Sequence, residues 1–177
     1  VAKALKADLD IIICRKLALP MNPAGGLGAV ADDGTTIINQ DVAARDGISP
    51  EQIEYEVGQI KANIKQRILS YRGDSRPSRL TGKIAIIVDD GLASGITMTV
   101  AIESVRHRRP REIVAAVPLA SSTGFKRASA TANRVAACAV SSQSEFYLAD
   151  FYRNWRDISD KEVVYALEQW RKQDPFM

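Results

Sequence analysis

Ile84-Ala85-Ile86-Ile87-Val88-Asp89-Asp90-Gly91-Leu92-Ala93-Ser94-Gly95-Ile96-Thr97 carries more information than any other stretch of this chain. A buried apolar run ends abruptly in two carboxylates. A Gly/Ser/Thr-rich turn follows, and an amphipathic helix begins at about Met98. In an open α/β sheet, ligands bind just beyond the carboxyl end of a parallel strand. The turn can direct the backbone N–H groups of Ser94 to Thr97, with two hydroxyls, at a phosphate held against a helix N-terminus. Asp89 and Asp90 are acceptors only, so they suit the paired hydroxyls of a sugar or a divalent cation. A phosphate cradle beside diol acceptors describes a site for a ribose 5-phosphate. The plain alternative is a capped strand-to-helix turn, since Asp, Gly and Ser favour such turns by themselves. Two acids, the loop and the strand–helix context together weigh against it.

Working outward, Leu9 to Cys14 (LDIIIC) is β-branched and reads as a buried strand. Arg15 and Lys16 leave its end toward the edge that carries Asp89, where Arg offers a fork and Lys a point charge to a pyrophosphate. Leu17 to Val30 is Pro- and Gly-rich and reads as a loop able to act as a water-excluding lid. Thr35 to Ile38 suggests a small peripheral strand. Ser49-Pro50-Glu51-Gln52 is a capping box with Pro at the first helical position. The helix it opens runs to about Tyr71, with Ile53, Val57, Ile60, Ile64 and Ile68 on one stripe. Arg72 to Gly82 is a polar linker. Beyond the central turn, strands are expected at Glu112–Val117 and Arg134–Val140, with helices at Met98–Arg108, near Ser122–Thr131 and at Asp160–Gln173. This repeated order predicts an α/β fold with a mostly parallel sheet covered by helices on both faces.

Composition agrees with one ordinary folded domain spanning residues 1–177: 46% of residues are hydrophobic and 25% charged. A net charge of +3 is too small to imply nucleic acid but suits an anionic metabolite. Cys14 and Cys138 both lie in apolar runs, a pattern of buried thiols in a reducing compartment. No stretch of 18 apolar residues and no signal peptide occurs, so the expectation is a cytoplasmic protein that meets no membrane. His107, the one histidine, sits in a basic helix end and cannot by itself build a metal or nucleophile cluster. Ser121-Ser122-Thr123-Gly124 lacks neighbouring acids and reads as a helix cap.

Without a gap, Ile84 to Thr97 resembles the phosphoribosyl-pyrophosphate (PRPP) signature of type I phosphoribosyltransferases: an apolar strand, two acids and Thr/Ser-Gly-x-Thr. The resemblance implies that Asp89 and Asp90 hold the ribose hydroxyls, while Ala93, Ser94, Gly95, Ile96 and Thr97 wrap the 5-phosphate. Arg15-Lys16 is similar to the pair that opens the family's mobile catalytic loop, which makes Arg15 and Lys16 the candidate catalytic residues. LALPMNPAGGLGAV looks like a group of uncharacterised bacterial and archaeal members. Asn22-Pro23 and Gly28-Ala29-Val30 match that group, Ala24 replaces an expected acid, and Phe151-Tyr152 repeats its C-terminal Phe-Tyr. Those two aromatics are expected to pack on the core, with stacking of an acceptor base as the alternative. Ala93 stands where the hypoxanthine-guanine enzymes carry an aspartate, which argues against a 6-oxopurine acceptor.

The family's fold implies a small hood over the sheet. It also has a first strand and a Gly-containing pyrophosphate loop, and nothing before Leu9 supplies both. Val1 to Ala7 reads as the tail of a helix already under way, so an upstream segment is expected. The implied reaction moves a 5-phosphoribosyl group from PRPP to a nitrogenous base and releases pyrophosphate. Mg²⁺ would be carried by PRPP with no dedicated protein ligands, and the expected assembly is a homodimer. The competing reading is a non-catalytic PRPP- or nucleotide-binding regulator. A hydrolase would need a water-activating base that the sequence does not offer.

Overall fold

The computed structural model describes residues 1–18, 26–73, 75–143 and 145–173. Along the chain run α1 (Ala2–Leu5), β1 (Cys14–Ala18), β2 (Gly26–Ala31), β3 (Thr36–Ile38), α2 (Gln40–Arg45), α3 (Pro50–Arg72) and β4 (Ile84–Val88). Then come α4 (Ile96–His107), β5 (Glu112–Ser121), α5 (Ser122–Ser129), β6 (Arg134–Ser141), a 3₁₀ turn (Leu148–Phe151) and α6 (Asp160–Gln173).

The β4–α4–β5–α5–β6 unit is the parallel half, with Ile84 opposite Glu112 and Val88 opposite Ala116. Alternation along β4 turns Ala85 and Ile87 inward, where they pack with Met98, Ile102 and Val105 of α4. Spatial strand order follows chain order, β4-β5-β6. Two successive crossovers of the usual right hand then put α4 and α5 on the same face. The opposite face keeps Ile84, Ile86, Val88 and Val140 exposed, which corrects the expectation of helices on both sides.

The first third of the chain departs from expectation as well. β1, β2 and β3 form an antiparallel sheet, so the fold is α/β with one parallel and one antiparallel sheet rather than mostly parallel. Short connections permit only antiparallel neighbours, whereas a parallel pair needs a crossover of a dozen or more residues. Pairing begins at Cys14, not Leu9, because β2 ends opposite it at Ala31. There the Ala31 N–H donates to Thr35 O (2.8 Å) and closes the turn into β3. Residues 17, 18 and 26–30 of the expected lid are strand; residues 19–25, including Asn22, Pro23 and Ala24, lie outside the described residues. β2 is buried on both faces. Ala29 and Ala31 meet Ile96 and Val100 of α4, while Val30 meets Ile13, Ile64 and Tyr71.

The capping box forms as read: Gln52 N–H donates to Ser49 Oγ (3.3 Å) and Ser49 N–H to Gln52 Oε1 (2.9 Å). The Arg72–Gly82 linker is tied down by Asp10. Its carboxylate accepts from Ser78 N (2.8 Å), Ile11 N (2.8 Å), Arg72 Nη2 (2.9 Å) and Arg108 Nη2 (3.2 Å). Burial alone would raise Asp10, but the Ser78 and Ile11 N–H groups and the two guanidiniums outweigh it and hold the carboxyl below its usual range. Both cysteines are free. Cys14 is half-buried, but Cys138 is exposed on the uncovered face of β6, so the expectation of two buried thiols holds for neither in full.

Candidate functional site

β4 stops at Val88 because the next two residues are charged, yet its direction is kept. Asp89 N–H donates to Ala116 O (3.3 Å), Leu92 N–H to Leu119 O (2.9 Å) and Ser121 N–H to Leu92 O (2.8 Å). The turn is thus stitched to the end of β5. Gly95 takes a left-handed φ of 74° as the N-cap of α4, a conformation only glycine adopts freely. A Cβ there would meet Gly124 O at 2.8 Å, and a Cβ on Gly124 would meet Leu92 O at 2.6 Å and Ala93 O at 2.7 Å. The two glycines let α5 press its backbone against the loop. Ser121 caps α5 by accepting from Gly124 N (2.9 Å), and its hydroxyl also donates to Ala93 O (2.5 Å). The guanidinium of Arg127 donates to Ser94 O. Sequence reasoning found the cap but missed this clamp; the Ser121–Gly124 run was its only local signal.

Asp89 and Asp90 stand at the mouth of the turn. Asp90 N–H donates to Asp89 Oδ1 (3.0 Å). Asp89 is half-buried, and burial first, then the charge of Asp90, pushes its carboxyl up to about 6. Ser94 and Thr97 are half-buried, Ala93 is exposed, and Gly95 is buried. Ile96 sends its side chain into the core at 4% exposure, leaving only its backbone for a ligand. The first N–H groups of α4 need acceptors from outside the helix. Ile96 N reaches Ser94 Oγ only at 3.5 Å. The arrangement can therefore accept hydroxyls at one end and donate to an anion at the other.

The Arg15–Lys16 pair is split by the strand that carries it, since neighbours in β structure face opposite sides. Lys16 is half-buried, and burial lowers its ammonium below the usual value. Its Cε and the Ser94 Oγ flank Gly26, at 3.5 and 3.7 Å from the place a Cβ would occupy, so Lys16 reaches the loop. Arg15 is exposed on the other face, the side of Tyr71, whose phenol feels its charge. Cys14 packs between the two sheets. Burial foremost, with Asp32, Asp89 and Asp33, pushes its thiol up to about 12.

Phe151 and Tyr152 do not enter the core. Phe151 is exposed and lies 5.2 Å from Phe146, ring centre to ring centre. The Tyr152 hydroxyl donates to Asp90 O (2.5 Å), and its ring meets Trp155 edge-on at 5.1 Å. A Cβ on Gly91 would strike Leu148 Cδ2 at 2.1 Å, so the 3₁₀ turn also rests on the loop. His107 behaves as helix-end chemistry, its Nδ1 3.1 Å from Asp33 Oδ2. A cleft of about 580 Å³ lies elsewhere: it follows the outer edge of β4 beside Lys6–Ile12 and meets the site only at Val88. No helix among the described residues is long and apolar enough to cross a membrane.

Comparison with known proteins places these observations in a family. The model of the phosphoribosyl transferase domain matches residues 32–150. Two Mycobacterium tuberculosis proteins, from strains CDC 1551 / Oshkosh and H37Rv, are provisionally named phosphoribosyl transferases. Each is 33% identical to this chain over 96% of its length. The chain spans only 38% of those relatives. The crystal structure of TT1426 from Thermus thermophilus superposes with a TM-score of 0.73 at 29% identity, covering 96% of this chain and 79% of that one.

Proposed function

The chain belongs to the phosphoribosyl transferase domain family, and from that membership we propose that it transfers a 5-phosphoribosyl group from PRPP to a nitrogenous base and releases pyrophosphate. One observation carries the reading. The acid pair Asp89–Asp90 and the N-terminus of α4 lie on a single turn clamped by Gly95 and Gly124, with Lys16 reaching the same turn.

In this reading Asp89 and Asp90 accept the two ribose hydroxyls and offset positive charge at the anomeric carbon as the bond to pyrophosphate breaks. The 5-phosphate lies on the turn from Ala93 to Thr97, bound by the Gly95, Ile96 and Thr97 N–H groups and the Ser94 and Thr97 hydroxyls. Lys16 balances the departing pyrophosphate. Arg15, on the other face of β1, joins it only if β1 turns. Such a reaction asks the protein for positioning and charge balance rather than covalent chemistry. The segment carrying Leu148 and Tyr152 serves as the hood.

The oxygen donors of the acid pair suit a hard cation. In this reading Mg²⁺ arrives with PRPP. When bound, it would supply neutralisation of the pyrophosphate. A cytoplasmic homodimer remains part of this proposal.

Calorimetric titration with PRPP, with and without Mg²⁺, tests it beside the double variant Asp89→Asn/Asp90→Asn. Binding strengthened by Mg²⁺ and lost in the variant is expected, followed by pyrophosphate release when bases are supplied. Failure of the intact protein to bind PRPP would overturn the reading; binding without release on any base would leave a regulator.

A further inference from the structure

On the opposite side of the antiparallel sheet from the Asp89 turn, α6 packs on the end of α3 and leaves a cleft of about 410 Å³. It shares no residue with the turn. Its wall carries Arg72, Arg76, Arg171 and Trp170, with Leu9, Ile11 and Leu167 as the apolar part and, among the described residues, Asp10 as the one carboxylate. Asp10 is already engaged by Arg72, Arg108 and two backbone N–H groups. Among the described residues the balance of charge at the cleft is therefore positive.

Two buried donors lie beneath this basic wall. Arg72 is 7% exposed, and its Nη2 is used by Asp10 Oδ1 (2.9 Å) and Ile11 O (2.6 Å). Its Nε is buried and has no partner among the described residues. The Nε1 of Trp170, on the same wall, is also buried and equally without a partner among them. Both N–H groups lie beneath the cleft surface rather than open to it, so contacts to an occupant fall to the exposed guanidiniums of the rim. Arg171 donates to Tyr71 O (3.0 Å), which fixes its head at the rim while leaving other N–H groups available. Arg76 adds an exposed guanidinium.

We propose that this cleft is a binding site for a small organic anion. Its phosphate or carboxylate head would meet Arg76 and Arg171, with the buried Arg72 adding positive charge behind them, and its apolar body would rest on Leu167 and Ile11. Guanidiniums match both head groups bidentately, and the volume holds a head group with about one ring. Because the cleft joins α6 to α3 and to the Leu9–Ile11 segment, an occupant ties together three parts of the chain that meet nowhere near the turn.

Trp170 is its own reporter. The chain has two tryptophans, so Trp155→Phe leaves Trp170 as the sole emitter. In that background the full chain is titrated with phenyl phosphate and, separately, with benzoate, following Trp170 emission. A saturable change with either probe is expected, and whichever probe acts names the head group. Arg76→Gln/Arg171→Gln, which leaves the structural Arg72 intact, is expected to weaken the apparent affinity about tenfold or more. Asp89→Asn/Asp90→Asn should leave it unchanged, so this test succeeds or fails independently of PRPP binding. No saturable response to either probe would overturn the proposal. So would a response unaffected by the arginine changes, or one lost with the aspartates.

Discussion

Asp89→Asn is expected to make the protein more stable and, under the proposed function, to abolish PRPP binding. Asp89 is half-buried beside Asp90, and its carboxyl rises from the ordinary 3.8 to about 6. In the unfolded chain it returns to the ordinary value, so the folded state holds the proton more tightly. Below that value both states are protonated and Asp89 has no effect on stability. Between about 4 and 6 only the unfolded state ionises, so stability falls as pH rises. Above about 6 the loss is complete. A rise of that size corresponds to about 3 kcal/mol, reduced to about 1–2 kcal/mol for a carboxyl that water still reaches. Asn at this position has no charge to desolvate, and its Oδ1 can still accept the Asp90 N–H. The variant should therefore gain about 1–2 kcal/mol at neutral pH, a gain that fades by about pH 4. Urea unfolding of both proteins across this range measures it. Equal stability at neutral pH, or a gain just as large at the acid end, would refute the electrostatic argument. Under the proposed function the same variant loses PRPP binding, so stability and ligand affinity would move in opposite directions.

Gly124→Ala drives a methyl to 2.6 Å from Leu92 O and 2.7 Å from Ala93 O. It should lose about 1–3 kcal/mol in denaturant unfolding and, under the proposed function, weaken PRPP binding measured by calorimetry. Tyr152→Phe removes only the hydroxyl that donates to Asp90 O. A loss of about 0.5–1.5 kcal/mol in thermal unfolding is expected. Asp10→Asn leaves Arg72 and Arg108 without their carboxylate and should destabilise by about 2–4 kcal/mol at neutral pH. Because Asp10 is held below its usual range, its contribution is full above about pH 4 and is lost as pH falls through the lowered value. Wild-type and variant unfolding curves should thus converge in acid.

Local chemistry was legible in the sequence and partner choice was not. The α3 start is written in four residues, Ser49 to Gln52, because a capping box bonds only within itself. The β4 turn was equally readable, since an apolar run meeting two acids and a glycine leaves few conformations open. LDIIIC, by contrast, is apolar because Ile11, Ile12 and Ile13 are packed against two different clusters, not because they pair with a strand. Pairing depends on where β2 turns, which no residue of LDIIIC records. β2 itself hides as GLGAVA because its glycines make it look like a loop. Gly28 is required there by a neighbouring strand, since a Cβ would stand 2.2 Å from Ile37 O. The clamp of Gly124 on Gly95 and the bond from Tyr152 to Asp90 join residues far apart in the chain. They became visible only once the chain was folded.

The two thiols of this protein face very different conditions. Cys14, between the sheets and pushed up to about 12, holds almost no thiolate at neutral pH, while Cys138 is exposed on the uncovered face of β6. Alkylating reagents should therefore discriminate between them without any engineering. A maleimide dye would attach at a single point on the bare face of the parallel sheet, away from the helices α4 and α5. The native chain thus carries its own handle for reporting on that face.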